Sequence, residues 1–389
     1  MAKVVPGGKY DVSGGKYGAL GNERMTFKKP LECTPPLAAY DETYVRRKQE
    51  VAEREQMFTC KSGRKFCYFT DGASDPSVEG VSVVLCLHAC GQGRHQFMQR
   101  EPFANIFQIC VDRMGHGKSS TTPKKTGYPF DEVVAELTEL IDAVFAEKKI
   151  PTDKKLFVIG HSMGATCAIE MAACPDIRDR IAAIAPMSGP ADVWNASLTM
   201  AERKDSAKQA GGAPVWWMMN CQKKTCAGAL GRFLLRNVMA PGLSRPDKDY
   251  GCAQYYKGDP SNQSGIKGQG TKESWDILDK DPFYATMSVD LPIPGAVNSW
   301  DTVNEYLRLW GAPWSYDPCE VSVPCFIYNG NPEETGCLMA EMHHKMIKGS
   351  ELIIMEGHGH MSIMMESGRI IEALVKKEKV AAPSWVSSS

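Results

Sequence analysis

From residue 81 onward short, wholly apolar runs alternate with helical stretches. VSVVLCLH, FQICVD, KLFVIG and IAAIAPMSG follow one another between residues 81 and 189. A strand with no polar face is buried on both sides, which predicts a mostly parallel sheet clothed in helices. Residues 131–147 predict one of those helices. Val133, Val134, Leu137, Leu140, Ile141, Val144 and Phe145 recur at the three-and-four spacing of a single buried stripe, with Asp131 as the expected N-cap. The alternation stops near Gly189 and resumes at VSVPCFIYNG (321–330). A helical stretch, the run ELIIME (351–356) and a last helix through Ile370, Ile371, Leu374 and Val375 complete it. Upstream, 41–56 is a charged segment of good helix formers. MFTC, the KSGRK turn and FCYFTDG then predict a hairpin, because aromatic and β-favouring residues flank a Ser-Gly turn signal.

This pattern divides the 389 residues into an N-terminal extension (1–55), an α/β core (56–189 and 321–378), an insertion (190–320) and a tail (379–389). The length suits one large core carrying an insertion. The insertion holds Trp194, Trp216, Trp217, Trp275, Trp300, Trp310 and Trp314, seven of the chain's 8 tryptophans. It is expected to be a helical cap, or lid, with Val303, Tyr306, Leu307 and Trp310 marking one of its helices.

Charge narrows the partners. With 45 basic against 46 acidic residues, nothing gathers nucleic acid or an anionic membrane, and the expected substrate is a small, largely uncharged molecule. No apolar run reaches the roughly 20 residues of a membrane span, and the N-terminus lacks a signal peptide's apolar stretch, so no membrane anchor is expected. Of the 14 cysteines, Cys86, Cys110 and Cys325 fall inside apolar strands. Reduced thiols and a cytoplasmic location are expected, with Cys221 and Cys226 read as two thiols and not as a metal clip.

The candidate chemistry sits where the strands end. KLFVIG runs into Gly160, His161, Ser162, Met163, Gly164 and a helix of small residues. A serine on so tight a strand-to-helix turn needs neighbours without side chains two positions away on each side. The helix N-terminus behind it makes the Met163 amide an oxyanion donor. The loop His88, Ala89, Cys90, Gly91 after the first long strand offers a second donor, the Cys90 amide. DRMGHGKS (112–119) reads as a packing loop. Serine needs a base. Gly357, His358, Gly359, His360 follow the final strand, and His360, which precedes a helix, is preferred to His358; His343 and His344 read as solvated residues of a surface helix. The base needs a carboxylate in turn. Glu333 is preferred, with Glu334 and Asp192 as alternatives.

These strings, in this order, resemble the α/β-hydrolase superfamily over residues 56–189 and 321–378. VLCLHACG is similar to its strand and oxyanion loop, with Ala89 where glycine is usual. DRMGHGKS is similar to its D-x-x-G-x-G-x-S loop, and GHSMGA to its nucleophile elbow. The order Ser162, Glu333, His360 is the family's order, although the family usually carries aspartate at the acid position. The resemblance implies an α/β-hydrolase fold and a serine hydrolase cleaving a carboxylic ester of a small or apolar substrate through an acyl-enzyme, with no metal or organic cofactor. Acyl transfer with the same triad, or a slow-turnover ligand-binding or receptor-like protein, are the alternatives. Oligomeric state is not legible.

Overall fold

The computed structural model describes residues 9–10, 31–32, 41–90, 92–122, 129–209, 277, 280–289, 301, 305, 308–309, 313–330 and 337–380. A short antiparallel pair, Lys9–Tyr10 (β1) with Leu31–Glu32 (β2), precedes the core. The expected hairpin follows as Gln56–Thr59 (β3) and Lys65–Gly72 (β4). The apolar runs become Ser82–Leu87 (β5), Ile106–Val111 (β6), Leu156–His161 (β7), Ile181–Met187 (β8), Phe326–Asn329 (β9) and Glu351–Ile354 (β10). The eight strands β3–β10 form one sheet in the order β10-β9-β8-β7-β5-β6-β4-β3. β5–β10 are mutually parallel and β4 runs antiparallel to both β3 and β6.

The unbroken apolar strands have a simple cause. Successive side chains of a strand point to opposite faces. Val83, Leu85 and Leu87 of β5 enter one core cluster and Val84 and Cys86 the other. Helices Phe130–Glu147 (α2), Met163–Ala173 (α3) and Cys337–Met346 (α6) supply the first cluster. Glu42–Ala52 (α1), Pro282–Val289 (α5) and Ser367–Lys376 (α7) supply the second. Between them Met200–Gln209 is α4. The stripe expected on α2 is buried at all seven positions, each such side chain contributing roughly 1.5–3 kcal/mol. Asp131, however, is not the cap. α2 starts one residue earlier, behind Pro129, and Asp131 lies in the first turn, its amide bonded to Ser315 Oγ. Proline's missing N–H and fixed φ explain the earlier start. Asp41 does cap α1, accepting from the Tyr44 amide at 2.8 Å.

β7 and β6 lie on opposite sides of β5, so the chain reverses its direction across the sheet at the carboxyl end of β5. In open α/β sheets that crevice is where ligands bind. Among the described residues no helix is long and apolar enough to cross a membrane. Val303, Tyr306, Leu307 and Trp310, which marked one expected helix of the insertion, lie outside the described residues, as do Cys221, Cys226, Glu333 and Glu334.

α3 buries an acid as well as small residues. Burial pushes the Glu170 carboxyl up to about 9, although the Tyr316 amide donates to it at 3.1 Å. Its folded pKa therefore stands above its unfolded value, and the folded chain holds the proton more tightly. The stability this contributes is lost as pH rises towards 9, by up to about 1.4 kcal/mol per pH unit. Glu170→Gln is expected to flatten this alkaline decline, read as urea midpoints at pH 6.5 and 9 in both proteins; an unchanged decline would show that other groups cause it.

Candidate active site

Ser162 lies between β7 and α3 with φ 53° and ψ −118°, a left-handed backbone that a side-chain-bearing residue adopts only at a cost of order 1–3 kcal/mol. The crowding around it enforces the turn. A Cβ on Gly160 would collide with the Gly164 carbonyl, and one on Gly164 with the carbonyl oxygens of Leu87 and His88 at the end of β5. The two glycines thus let α3 lie directly against the sheet, with every one of its residues buried, while Ser162 keeps partial exposure. The Ser162 amide bonds the Met187 carbonyl at 2.8 Å, which anchors the turn to β8.

His360 arrives from the loop after β10. Its carbonyl oxygen accepts from His161 Nε2 at 2.7 Å, and the two rings lie 4.9 Å apart, so His360 stands beside the residue that precedes Ser162. Burial holds the His360 imidazole down at about 4, neutral at pH 7. His358 is turned away, its Nδ1 on the Ser362 carbonyl at 3.1 Å and its Nε2 3.5 Å from Glu366. Gly330, just after β9, meets the loop that carries His360 directly: a Cβ on Gly330 would lie 3.0 Å from Gly359 Cα. Asp192 is buried among other partners. It accepts from the Trp194 amide at 3.0 Å, and burial raises it to about 6.

Gln96 and His161 organise these loops, and the sequence offered no sign of it. Gln96 Oε1 accepts from the Ala89 amide at 2.7 Å, and its Nε2 meets His161 Nδ1 at 2.8 Å. The amide's orientation makes Nε2 the donor, so His161 carries its proton on Nε2 and gives it to the His360 carbonyl. Burial, and then the neighbouring His360, keep His161 far below its ordinary pKa. One chain of hydrogen bonds therefore joins the loop after β5, the turn at Ser162 and the loop that carries His360. It also commits the Ala89 amide, leaving Cys90 as the residue of that loop whose N–H was read as the second donor.

DRMGHGKS packs as a loop around a buried acid. Asp112 accepts from the amides of Arg94 (2.8 Å) and Lys118 (2.9 Å) and pairs with the Arg94 guanidinium. Arg113 donates through Nε to the His88 carbonyl at 2.7 Å and pairs with Glu305, a residue distant in sequence. Burial would raise the Glu305 carboxyl, but Arg113, His116 and Arg308 outweigh it and hold it down at about 2. His343 departs from expectation. It lies on α6 but is buried at 1% exposure, its Cε1 near Gly189, and burial lowers it to about 4, whereas His344 is exposed. α6 presents Met339, Met342, His343 and Met346 inwards, so the helix has one buried side and the solvated reading fits only His344.

Replacing Gln96 by Leu strands the Ala89 amide and His161 Nδ1 in a buried setting. A loss of about 2–6 kcal/mol in urea unfolding is expected, at 1–3 kcal/mol for each of the two orphaned groups; a loss below about 0.5 kcal/mol would mean the chain of bonds contributes little.

Comparison with known proteins agrees with the geometry. A proline iminopeptidase of Saccharolobus solfataricus is 21% identical over 300 residues, covering 75% of this chain and 83% of the relative. A bromoperoxidase from Bacillus anthracis superposes with TM-score 0.52 at 14% identity, over 83% of this chain and 99% of that one. An esterase from Exiguobacterium antarcticum superposes with TM-score 0.50 at 17% identity, over 82% and 98%. At such identities the solved structures speak for the fold. The family model described as "Alpha/beta hydrolase family" matches residues 84–373, from β5 to α7, and the chain belongs to that family.

Proposed function

We propose that the protein hydrolyses carboxylic esters of small or apolar substrates through an acyl-enzyme, with Ser162 as nucleophile and His360 as base. The observation that carries this reading is the left-handed Ser162 at the β7–α3 turn, with His360 tied through its carbonyl to the adjacent His161 ring. Ser162 Oγ attacks the ester carbonyl carbon while its proton passes to His360, which burial keeps neutral. The amides of Met163 and Cys90 receive the oxyanion, each worth roughly 3 kcal/mol of barrier. Collapse expels the alcohol with the proton from His360. Water then gives a proton to His360 and its oxygen to the acyl carbon; the bond from Ser162 Oγ to that carbon breaks, and His360 returns the proton to Oγ, releasing the acid and restoring the serine. Glu333 orients the imidazole, with Glu334 and Asp192 as alternatives. Residues 190–320 act as a cap over the site, and free thiols at nine of the described cysteines accord with a cytoplasmic setting.

The name of the Saccharolobus relative favours a second reading, cleavage of a peptide bond by the same serine. Transfer of the acyl group to an alcohol or thiol also uses this machinery and differs in excluding water.

A fluorophosphonate probe should label wild type at Ser162 alone and leave Ser162→Ala and His360→Ala unlabelled, mapped by peptide mass spectrometry. Folded wild type that resists the probe would remove the activated serine. Turnover of p-nitrophenyl esters of rising acyl length against proline p-nitroanilide separates the two bond types, and turnover of the anilide alone would replace ester cleavage with the peptidase reading.

A further inference from the structure

The side chains of a cluster beside the Ser162 site are not used in the proposed ester hydrolysis. Cys90 follows β5, His116 lies in the loop after β6, and Glu305 belongs to a stretch that is helical at Asp301, Glu305, Arg308 and Leu309. Cys90 Sγ, a ring nitrogen of His116 and a carboxylate oxygen of Glu305 lie within 4.8 Å of one another.

The bonding around these atoms prepares them as ligands. His116 Nδ1 faces the Met114 carbonyl at 3.3 Å, so that nitrogen carries the ring proton and Nε2 keeps its lone pair. Nε2 stands 3.4 Å from Glu305 Oε2. That oxygen is buried without a hydrogen-bond partner, in a residue only 3% exposed. Glu305 Oε1, by contrast, is taken by Arg113, with Arg308 at 3.5 Å. A neutral imidazole lone pair thus confronts a carboxylate oxygen with no proton assigned between them, an arrangement that a bound cation would relieve. Burial, and then the Glu305 charge, keep the Cys90 thiol protonated.

We propose that Cys90, His116 and Glu305 form a binding site for a thiophilic divalent cation such as Zn2+. Thiolate, imidazole and carboxylate suit zinc, whereas calcium and magnesium prefer oxygen alone. Tetrahedral zinc at ordinary bond lengths sets neighbouring donors about 3.3–3.7 Å apart; His116 Nε2 and Glu305 Oε2, at 3.4 Å, already stand at that spacing, so Cys90 Sγ is the atom that draws in, by up to about 1 Å. Binding replaces the thiol proton: the cation gains a sulfur bond, and one proton leaves to solvent. The fourth position is open to water. Arg113 stays on Oε1 and fixes the carboxylate, but with Arg308 it repels the cation, which keeps affinity below that of four-ligand structural sites.

Asp301 adds a reason to treat the loaded site as a clamp. Its Oδ1 accepts from the Thr122 amide and hydroxyl, at 2.5 and 2.7 Å, so Asp301 already rests on the loop after β6. A metal would extend that contact to Cys90. Resting on the ester-hydrolase reading, in which the Cys90 amide holds the oxyanion, loading should slow turnover, because a loop drawn towards Glu305 misplaces its N–H.

Cobalt is the direct probe. Purified, metal-stripped full-length protein titrated with Co2+ should develop a sulfur-to-cobalt charge-transfer band and the intense visible bands of tetrahedral cobalt, saturating at one equivalent and displaced by Zn2+. Cys90→Ser should abolish the charge-transfer band, while Cys319→Ser, which removes an exposed thiol, keeps it. No band in protein folded by circular dichroism, or a band that survives Cys90→Ser, would overturn the site. Ser162→Ala should bind cobalt like wild type, so the site is judged apart from the hydrolase reading. Saturating Zn2+ should cut wild-type ester turnover by roughly tenfold or more, outright loss of an oxyanion donor costing about 10²–10³ in kcat. Undiminished turnover of loaded enzyme would overturn the inhibitory role.

Discussion

The contact between the first turn of α3 and the carbonyl oxygens at the end of β5 governs the candidate site. Gly164 lies against the Leu87 and His88 carbonyls with no space for a Cβ, and Gly160 lies against Gly164 in the same way. Because α3 starts this close to β5, and Gly160 of β7 lies against its first turn, the chain from β7 into α3 must turn within one residue. That residue is Ser162, and its left-handed φ is the cost of the turn. The same approach brings the Met163 amide and the loop after β5 to one crevice. Strain at Ser162 is thereby offset by burial of the whole of α3, whose small side chains are what permit it.

Around that contact, buried polar side chains do the aligning. Gln96 and His161 hold three loops through hydrogen bonds whose donors and acceptors fit only one tautomer. On the other side Arg113 ties the His88 carbonyl to Glu305. Breaking one partner of such a pair leaves the other charge buried, so these links specify geometry more than they add net stability.

The sheet, the hairpin, the α2 stripe and the turn at Ser162 were legible because each is written in local periodicity or spacing. Unbroken apolar runs announce burial on both faces, and two glycines around a serine announce a close approach. What escaped depends on distant contacts. Gln96 sits in a loop without periodicity and gains meaning only from Ala89 and His161. Glu305 meets a partner 192 residues away, across a segment whose pattern reads as insertion. His343 shares a helix with the exposed His344, and only the packing of α6 on the sheet tells them apart. The α2 boundary moved by one residue because Pro129 competes with Asp131 for the helix start.

The pairing of β8 with β9 has a consequence for how the molecule is made. Met187 and Tyr328 are neighbours in the sheet, and the Ser188 amide bonds the Tyr328 carbonyl at 2.8 Å, yet the whole insertion (190–320) must be traversed between them. Joining strands so far apart in sequence carries a loop-closure entropy that nearby pairs avoid, which slows such steps in folding. β3 to β8, with the serine turn, can assemble from local contacts as the chain emerges. His360 lies beyond the long closure, on the far segment that must still dock. A nascent chain would therefore form the Ser162 turn well before His360 docks beside it, and the candidate site would be among the last features the folding molecule completes.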